Sequence, residues 1–133
     1  MSPTTEKSHK KSILVVDDNQ DAASTLGMYL KLKGYITQTC NGGREAIYLV
    51  EEIQPDLVIL DLAMPDMDGY ETAALLRANH GLSLPLVALS GYGQDEDRRL
   101  TAAAGFDAHL VKPVEFDELL NLVHKMLEDS PGG

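Results

Sequence analysis

The chain has a single cysteine, no long apolar run and few positive charges, and each shortage removes a class of function. Cys40 has no partner for an intramolecular disulfide and cannot found a cysteine-based metal site. It falls at the end of an expected strand and reads as a small core or strand-end residue. The longest apolar stretches are about five residues, far below the roughly 20 that span a bilayer, and the polar start lacks a signal peptide's apolar region. The expected location is the cytoplasm, with no membrane partner. Lysine and arginine number 11 against 21 acidic residues, a formal charge of −10 that repels nucleic acid and anionic membranes. Residues 1–11 hold three of the lysines and one glutamate, leaving 8 basic and 20 acidic residues beyond them. Proteins and cations remain as partners.

At 133 residues the chain suits one domain that buries about two thirds of its unfolded surface. Short apolar runs alternate five times with helical patterns, the signature of a parallel sheet with crossover helices. Strands are expected at 12–17, 35–40, 56–61, 85–90 and 108–111, and helices at 20–33, 43–53, 69–79, 94–104 and 115–128. The first helix carries Ala22, Leu26 and Tyr29/Leu30 at core spacing and stops at Gly34; the second halts before Pro55. One (βα)5 domain over 12–128 follows, between disordered tails at 1–11 and 129–133. Right-handed crossovers favour a doubly wound, flavodoxin-like sheet in the order 2-1-3-4-5, with strands 1 and 3 at the topological switch point.

That topology collects chemistry at one sheet edge. Asp61 ends the apolar run Leu57-Val58-Ile59-Leu60, and a carboxylate there is not explained by packing. Asp17 and Asp18 follow Ile13-Leu14-Val15-Val16, Ser90 follows Leu86-Val87-Ala88-Leu89, and Lys112 follows His109-Leu110-Val111. Three neighbouring carboxylates repel one another, so some pKa values rise or a cation binds. A hard divalent ion such as Mg²⁺ takes oxygen ligands and keeps several waters. A phosphoryl group could then bridge the metal and Asp61, with Lys112 and Ser90 on its other oxygens. Carboxylates are competent nucleophiles for such chemistry.

These residues resemble a response-regulator receiver domain. The match is the acid pair Asp17-Asp18, Asp61 with Pro65 four and Gly69 eight positions later, Ser90 beside Gly91, and Lys112-Pro113. The resemblance covers about residues 12–128, and the combination in this order is highly specific. It implies that Asp61 accepts a phosphoryl group from a histidine kinase or histidine phosphotransfer protein, and that a downstream protein reads the result. It further implies that Asp18, Asp61 and the backbone carbonyl of Ala63 ligate Mg²⁺ while Asp17 acts through water. The domain would be a phosphoacceptor signalling module, not an enzyme, either free-standing or part of a hybrid sensor kinase. His109 stands where the family usually has Tyr or Phe as the switch partner of the Ser90 hydroxyl. Ala63 and Tyr92 occupy positions that tune phosphoryl lifetime in the family.

Blander readings are weaker. Asp17-Asp18 could cap the first helix, but capping needs one acid. Met64 and Leu75 spoil a calcium loop around Asp66-Met67-Asp68-Gly69, and Gly91-Tyr92-Gly93 lacks the third glycine of a dinucleotide fingerprint. His9, His80 and His124 have no paired spacing and read as surface residues. An aspartyl-phosphate phosphatase of the haloacid-dehalogenase type would need an acid two positions after Asp61, where Ala63 stands. A flavin-binding first turn would not be built from Asp17-Asp18-Asn19-Gln20-Asp21.

Overall fold

A computed structural model describes residues 10–91 and 95–128, without the side chains at 95–98 and 128. Residues 1–9, 92–94 and 129–133, among them His9, Tyr92 and Gly93, lie outside the described residues.

Strands β1 (Ser12–Val16), β3 (Leu57–Asp61) and β4 (Leu86–Ser90) read almost continuously apolar because both of their faces are covered. With β2 (Ile36–Cys40) and β5 (Ala108–Val111) they form one five-stranded sheet in the order β2-β1-β3-β4-β5, every pairing parallel. The helices are α1 (Gln20–Leu32), α2 (Gly43–Ile53), α3 (Gly69–His80), α4 (Asp95–Ala103) and α5 (Phe116–Glu128). A 3₁₀ turn, Gly81–Ser83, follows α3.

Side chains alternate across the sheet and divide the core in two. Leu14, Val16, Val58, Leu60, Leu86 and Ala88 face one side, where Ala46 and Val50 of α2 and Ala73 and Leu76 of α3 cover them. Ile13, Val15, Leu57, Ile59, Val87 and Leu89 face the other, against Leu26 and Leu30 of α1 and Leu119, Val123 and Leu127 of α5. Each fully buried Leu or Ile contributes about 1.5–3 kcal/mol. The first helix corrects one expectation. Ala23 is buried, whereas Ala22 is only partly covered. Asn19, which accepts a hydrogen bond from the Ala22 amide at 3.0 Å, sets the phase that turns Ala23, Leu26 and Leu30 inward.

Three strands, β2, β3 and β4, begin one residue later than expected, and β1 ends before Asp17, although the Asp17 amide still donates to the Cys40 carbonyl at 3.1 Å. Asp56 explains one of these starts, since its carboxylate accepts from the Ser12 amide at 2.8 Å instead of opening β3. His80 is partly buried at the surface. Its Nε2 lies 3.1 Å from the Glu51 carboxylate, joining α3 to α2.

Candidate functional site

Parallel register brings the strand ends level. Val16 stands beside Leu60, Asp61 beside Leu89, and Ser90 beside Val111, so the residues after β1 and β5 meet the last residues of β3 and β4. Asp61 is 2% exposed and Asp17 1%, while Asp18 is open to solvent. One carboxylate oxygen from each of the three lies within 4.8 Å of the others. Among the described residues, this is the one group of three or more acid, His or Cys ligands close enough to share an ion.

Lys112 enters this cluster from the far side. Its Nζ is 3.2 Å from Asp17 Oδ2 and 3.2 Å from Asp61 Oδ1. Its amide donates to the Ser90 carbonyl at 2.8 Å, which fixes the start of the loop, and the Lys112-Pro113 peptide is cis. Asp17 is held by its neighbours: Oδ1 accepts from the Asn19 amide at 2.9 Å, and Asn41 Nδ2 donates to its carbonyl at 2.8 Å. Asp61 Oδ1 also accepts from the Ala63 amide at 3.3 Å, so the chain beyond β3 curls back over the carboxylate.

Gly69 completes that turn. A Cβ there would lie 2.6 Å from the Asp61 carbonyl oxygen and 2.7 Å from Leu62 Cα, so only glycine lets α3 start against the end of β3. Asp68 caps the same helix, accepting from the Glu71 amide at 2.9 Å while Glu71 reaches back to the Asp68 amide at 3.3 Å. The acids of this segment serve the helix terminus, in keeping with rejection of the calcium loop.

Electrostatics mark Asp61 as under-neutralised. Burial first, then the charge of Asp17, push its carboxyl up to about 6. The hydrogen bond and charge of Lys112 and the Ala63 amide pull the other way without prevailing. Burial acts to lower the Lys112 ammonium, but Asp61 and then Asp17 outweigh it and its pKa ends above the ordinary lysine value. Three carboxylates thus face one ammonium, and the excess negative charge with an all-oxygen donor set fits a hard divalent cation. Cys40 contributes nothing here, since burial pushes its thiol up to about 11 and keeps it protonated.

Ser90 is 5% exposed at the end of β4. His109 is paired in register with Ala88, two residues before Ser90, so strand alternation sets Ser90, Ala88 and His109 on the same sheet face. His109 is partly buried and lies about 7 Å below the level of Ser90 at the usual rise per residue. Sequence reasoning missed Asn19 and Asn41, which steady Asp17. A polar residue directly after β2, at the same edge as the acids, was the available signal for Asn41.

A family model described as the response regulator receiver domain matches residues 13–124. The chain belongs to the response-regulator receiver family. The CheY4 chemotaxis protein of Vibrio cholerae superposes with a TM-score of 0.85 at 28% identity, over 90% of this chain and 100% of that structure. An uncharacterized 14.6 kDa protein of Leptolyngbya boryana is 40% identical over 114 residues, 85% of this chain and 87% of its own. The DNA-binding response regulator MtrA of Mycolicibacterium smegmatis is 36% identical over 125 residues, 92% of this chain. The chain spans 54% of MtrA, about half its length. The doubly wound order and the receiver resemblance are thereby borne out, and nothing supports the phosphatase alternative. No described helix is long and apolar enough to cross a membrane.

Proposed function

We propose that Asp61 is the phosphoacceptor of a cytoplasmic phosphorelay, taking its phosphoryl group from a histidine kinase or a histidine phosphotransfer protein with Mg²⁺ as cofactor. One observation carries this reading: the Lys112 ammonium sits 3.2 Å from both buried carboxylates, where it can follow charge onto a phosphoryl group. A carboxylate oxygen of Asp61 attacks phosphorus in line as the P–N bond to the donor imidazole breaks. The bonding pair leaves with that nitrogen, which then takes a proton, and an acyl phosphate remains on Asp61. The developing equatorial charge is met by the Lys112 ammonium and by a hydrogen bond from the Ser90 hydroxyl.

Asp18, Asp61 and the Ala63 carbonyl are the groups assigned to the metal, with Asp17 acting through water. Bound Mg²⁺ would offset the excess negative charge of the cluster and of the incoming phosphoryl group. Ser90 and His109 are assigned to the conformational response, because they share the sheet face next to the α4 region. The module is a switch and not an enzyme acting on a separate substrate: Ala63 leaves the site without the general acid a phosphatase of this chemistry needs. Its product is a changed surface, read by a downstream protein through α4, β5 and α5.

Incubation with acetyl phosphate and Mg²⁺ should add one phosphoryl group by intact-mass measurement, and Asp61→Asn should abolish it. Full labelling of that variant would refute the assignment.

A further inference from the structure

Strand β2 lies at the edge of the sheet with its outer side open. The Ile36 amide donates to Lys11 and the Cys40 carbonyl accepts from Asp17, so both residues point at β1. By alternation, the N–H and C=O groups of Thr37 and Thr39 point outward. Natural edge strands are usually blunted by a charge, a proline or a bulge; Ile-Thr-Gln-Thr-Cys carries no charge and no proline.

The surroundings of that edge run against the character of the molecule. A chain of net charge −10 places exposed Lys10, Lys11, Lys31 and Lys33 around the start of β2 and the end of α1. Two clefts flank the edge. On the α1 side, about 390 Å³ is lined by Ser24, Met28, Lys31, Thr37, Gln38 and Thr39. On the α2 side, about 310 Å³ is lined by residues including Lys10, Ile36, Gln38 and Ile53, and by Asp56, whose carboxylate is engaged by the Ser12 amide. Each cleft therefore combines a lysine with an apolar wall. Met28 is 65% exposed, Leu32 83% and Ile36 49%.

We propose that β2 is a docking strand for an extended acidic segment of a partner protein. Such a segment adds to the sheet through the outward groups of Thr37 and Thr39, and its side chains fall alternately into the two clefts. Carboxylates meet Lys31 on one side and Lys10 on the other, while apolar side chains cover Met28 and Ile36. A second copy is a poorer occupant, because pairing two β2 edges brings together two molecules of like net charge and sets lysines against lysines. Strand β1 stands between this outer edge and Asp61 at the end of β3, so docking there leaves the phosphorylation site open.

The test uses an eight-residue Glu-Glu-Val-Val repeat peptide, with Lys-Lys-Val-Val as the control, followed by amide NMR and hydrogen exchange on the full chain. The acidic peptide should shift resonances of Met28, Lys31 and residues 36–39 and slow exchange at the Thr37 and Thr39 amides. The control should do neither, and Lys10→Glu/Lys31→Glu should weaken binding at least tenfold with the fold's spectrum unchanged. Equal binding of both peptides, shifts without protection at Thr37 and Thr39, or dimerisation that protects those amides without peptide would each overturn the proposal. So would binding to phosphatidylserine vesicles with no response to the acidic peptide.

Discussion

Replacing Asp61 with asparagine should make the metal-free protein more stable, and the gain should grow with pH. The Asp61 carboxyl is raised from 3.8 to about 6 by burial and by Asp17, against the pull of Lys112. Its unfolded counterpart ionises near 3.8, so between about pH 4 and 6 the native state binds more protons than the unfolded chain. Stability therefore falls as pH rises through that window, and above it the ionised carboxylate destabilises the native state by on the order of 3 kcal/mol. That figure is a ceiling, because the Lys112 side chain is 34% exposed and because asparagine gives up the contact with its ammonium.

Urea unfolding in EDTA of wild type and Asp61→Asn, at pH 4 and pH 7.5, isolates the effect. The two proteins should unfold at similar urea near pH 4, and the variant should gain up to about 1–2 M in midpoint at pH 7.5. Saturating Mg²⁺ should shrink the difference by stabilising wild type about 2.7 kcal/mol at a hundredfold excess over its dissociation constant. A variant less stable than wild type at pH 7.5, or a difference that ignores pH, would show that Lys112 already neutralises the site.

Other substitutions test neighbouring steps. Lys112→Ala should slow labelling by acetyl phosphate, whereas Ser90→Ala should still label but leave the amide spectrum of α4 and β5 unmoved on phosphorylation; equal loss of labelling would contradict that division. Gly69→Ala should destabilise by about 1–3 kcal/mol and reduce labelling together, because its Cβ would push α3 off the Asp61 carbonyl, an outcome read by thermal melt and intact mass. Asp68→Ala should remove only the cap of α3, about 1 kcal/mol by urea unfolding, with labelling preserved. Arg77→Met should destabilise by on the order of 3 kcal/mol, since it leaves the carbonyls of Gly81, Leu84 and Gly105 without their donor.

The strands and the acid cluster were legible in the sequence because their signal is local. A charged residue ending an apolar run is visible without knowing the fold, and parallel topology then sends Asp17, Asp61, Ser90 and Lys112 to one edge. Arg77 was not legible, for the opposite reason. Its Nε donates to the Gly105 carbonyl at 2.9 Å, 28 positions away, and its Nη1 to Leu84 at 2.6 Å; backbone partners carry no residue identity that spacing can announce. The one-residue error at Ala22 has a similar root. Periodicity gives a helix its face, but the phase was set by the Asn19 cap, a single hydrogen bond.

Arg77 also bears on how a charge event at Asp61 could reach the surface. Its guanidinium ties the end of α3 to Gly105, directly after α4, and to Asp107, whose carboxylate accepts from the Leu86 amide at 2.9 Å at the start of β4. The C-terminal end of α4 and the entry to β5 are thus fastened to the base of the sheet. At the opposite end, Ser90 closes β4 beside the acid cluster, and Ser90 and His109 share the face against which Ala104 and Phe106, just after α4, pack. In the proposed cycle, displacement of Ser90 would be expected to turn α4 about its fastened C-terminal end. His109, paired with Ala88 and about 7 Å below the level of Ser90, lies between that fastened end and the reactive edge.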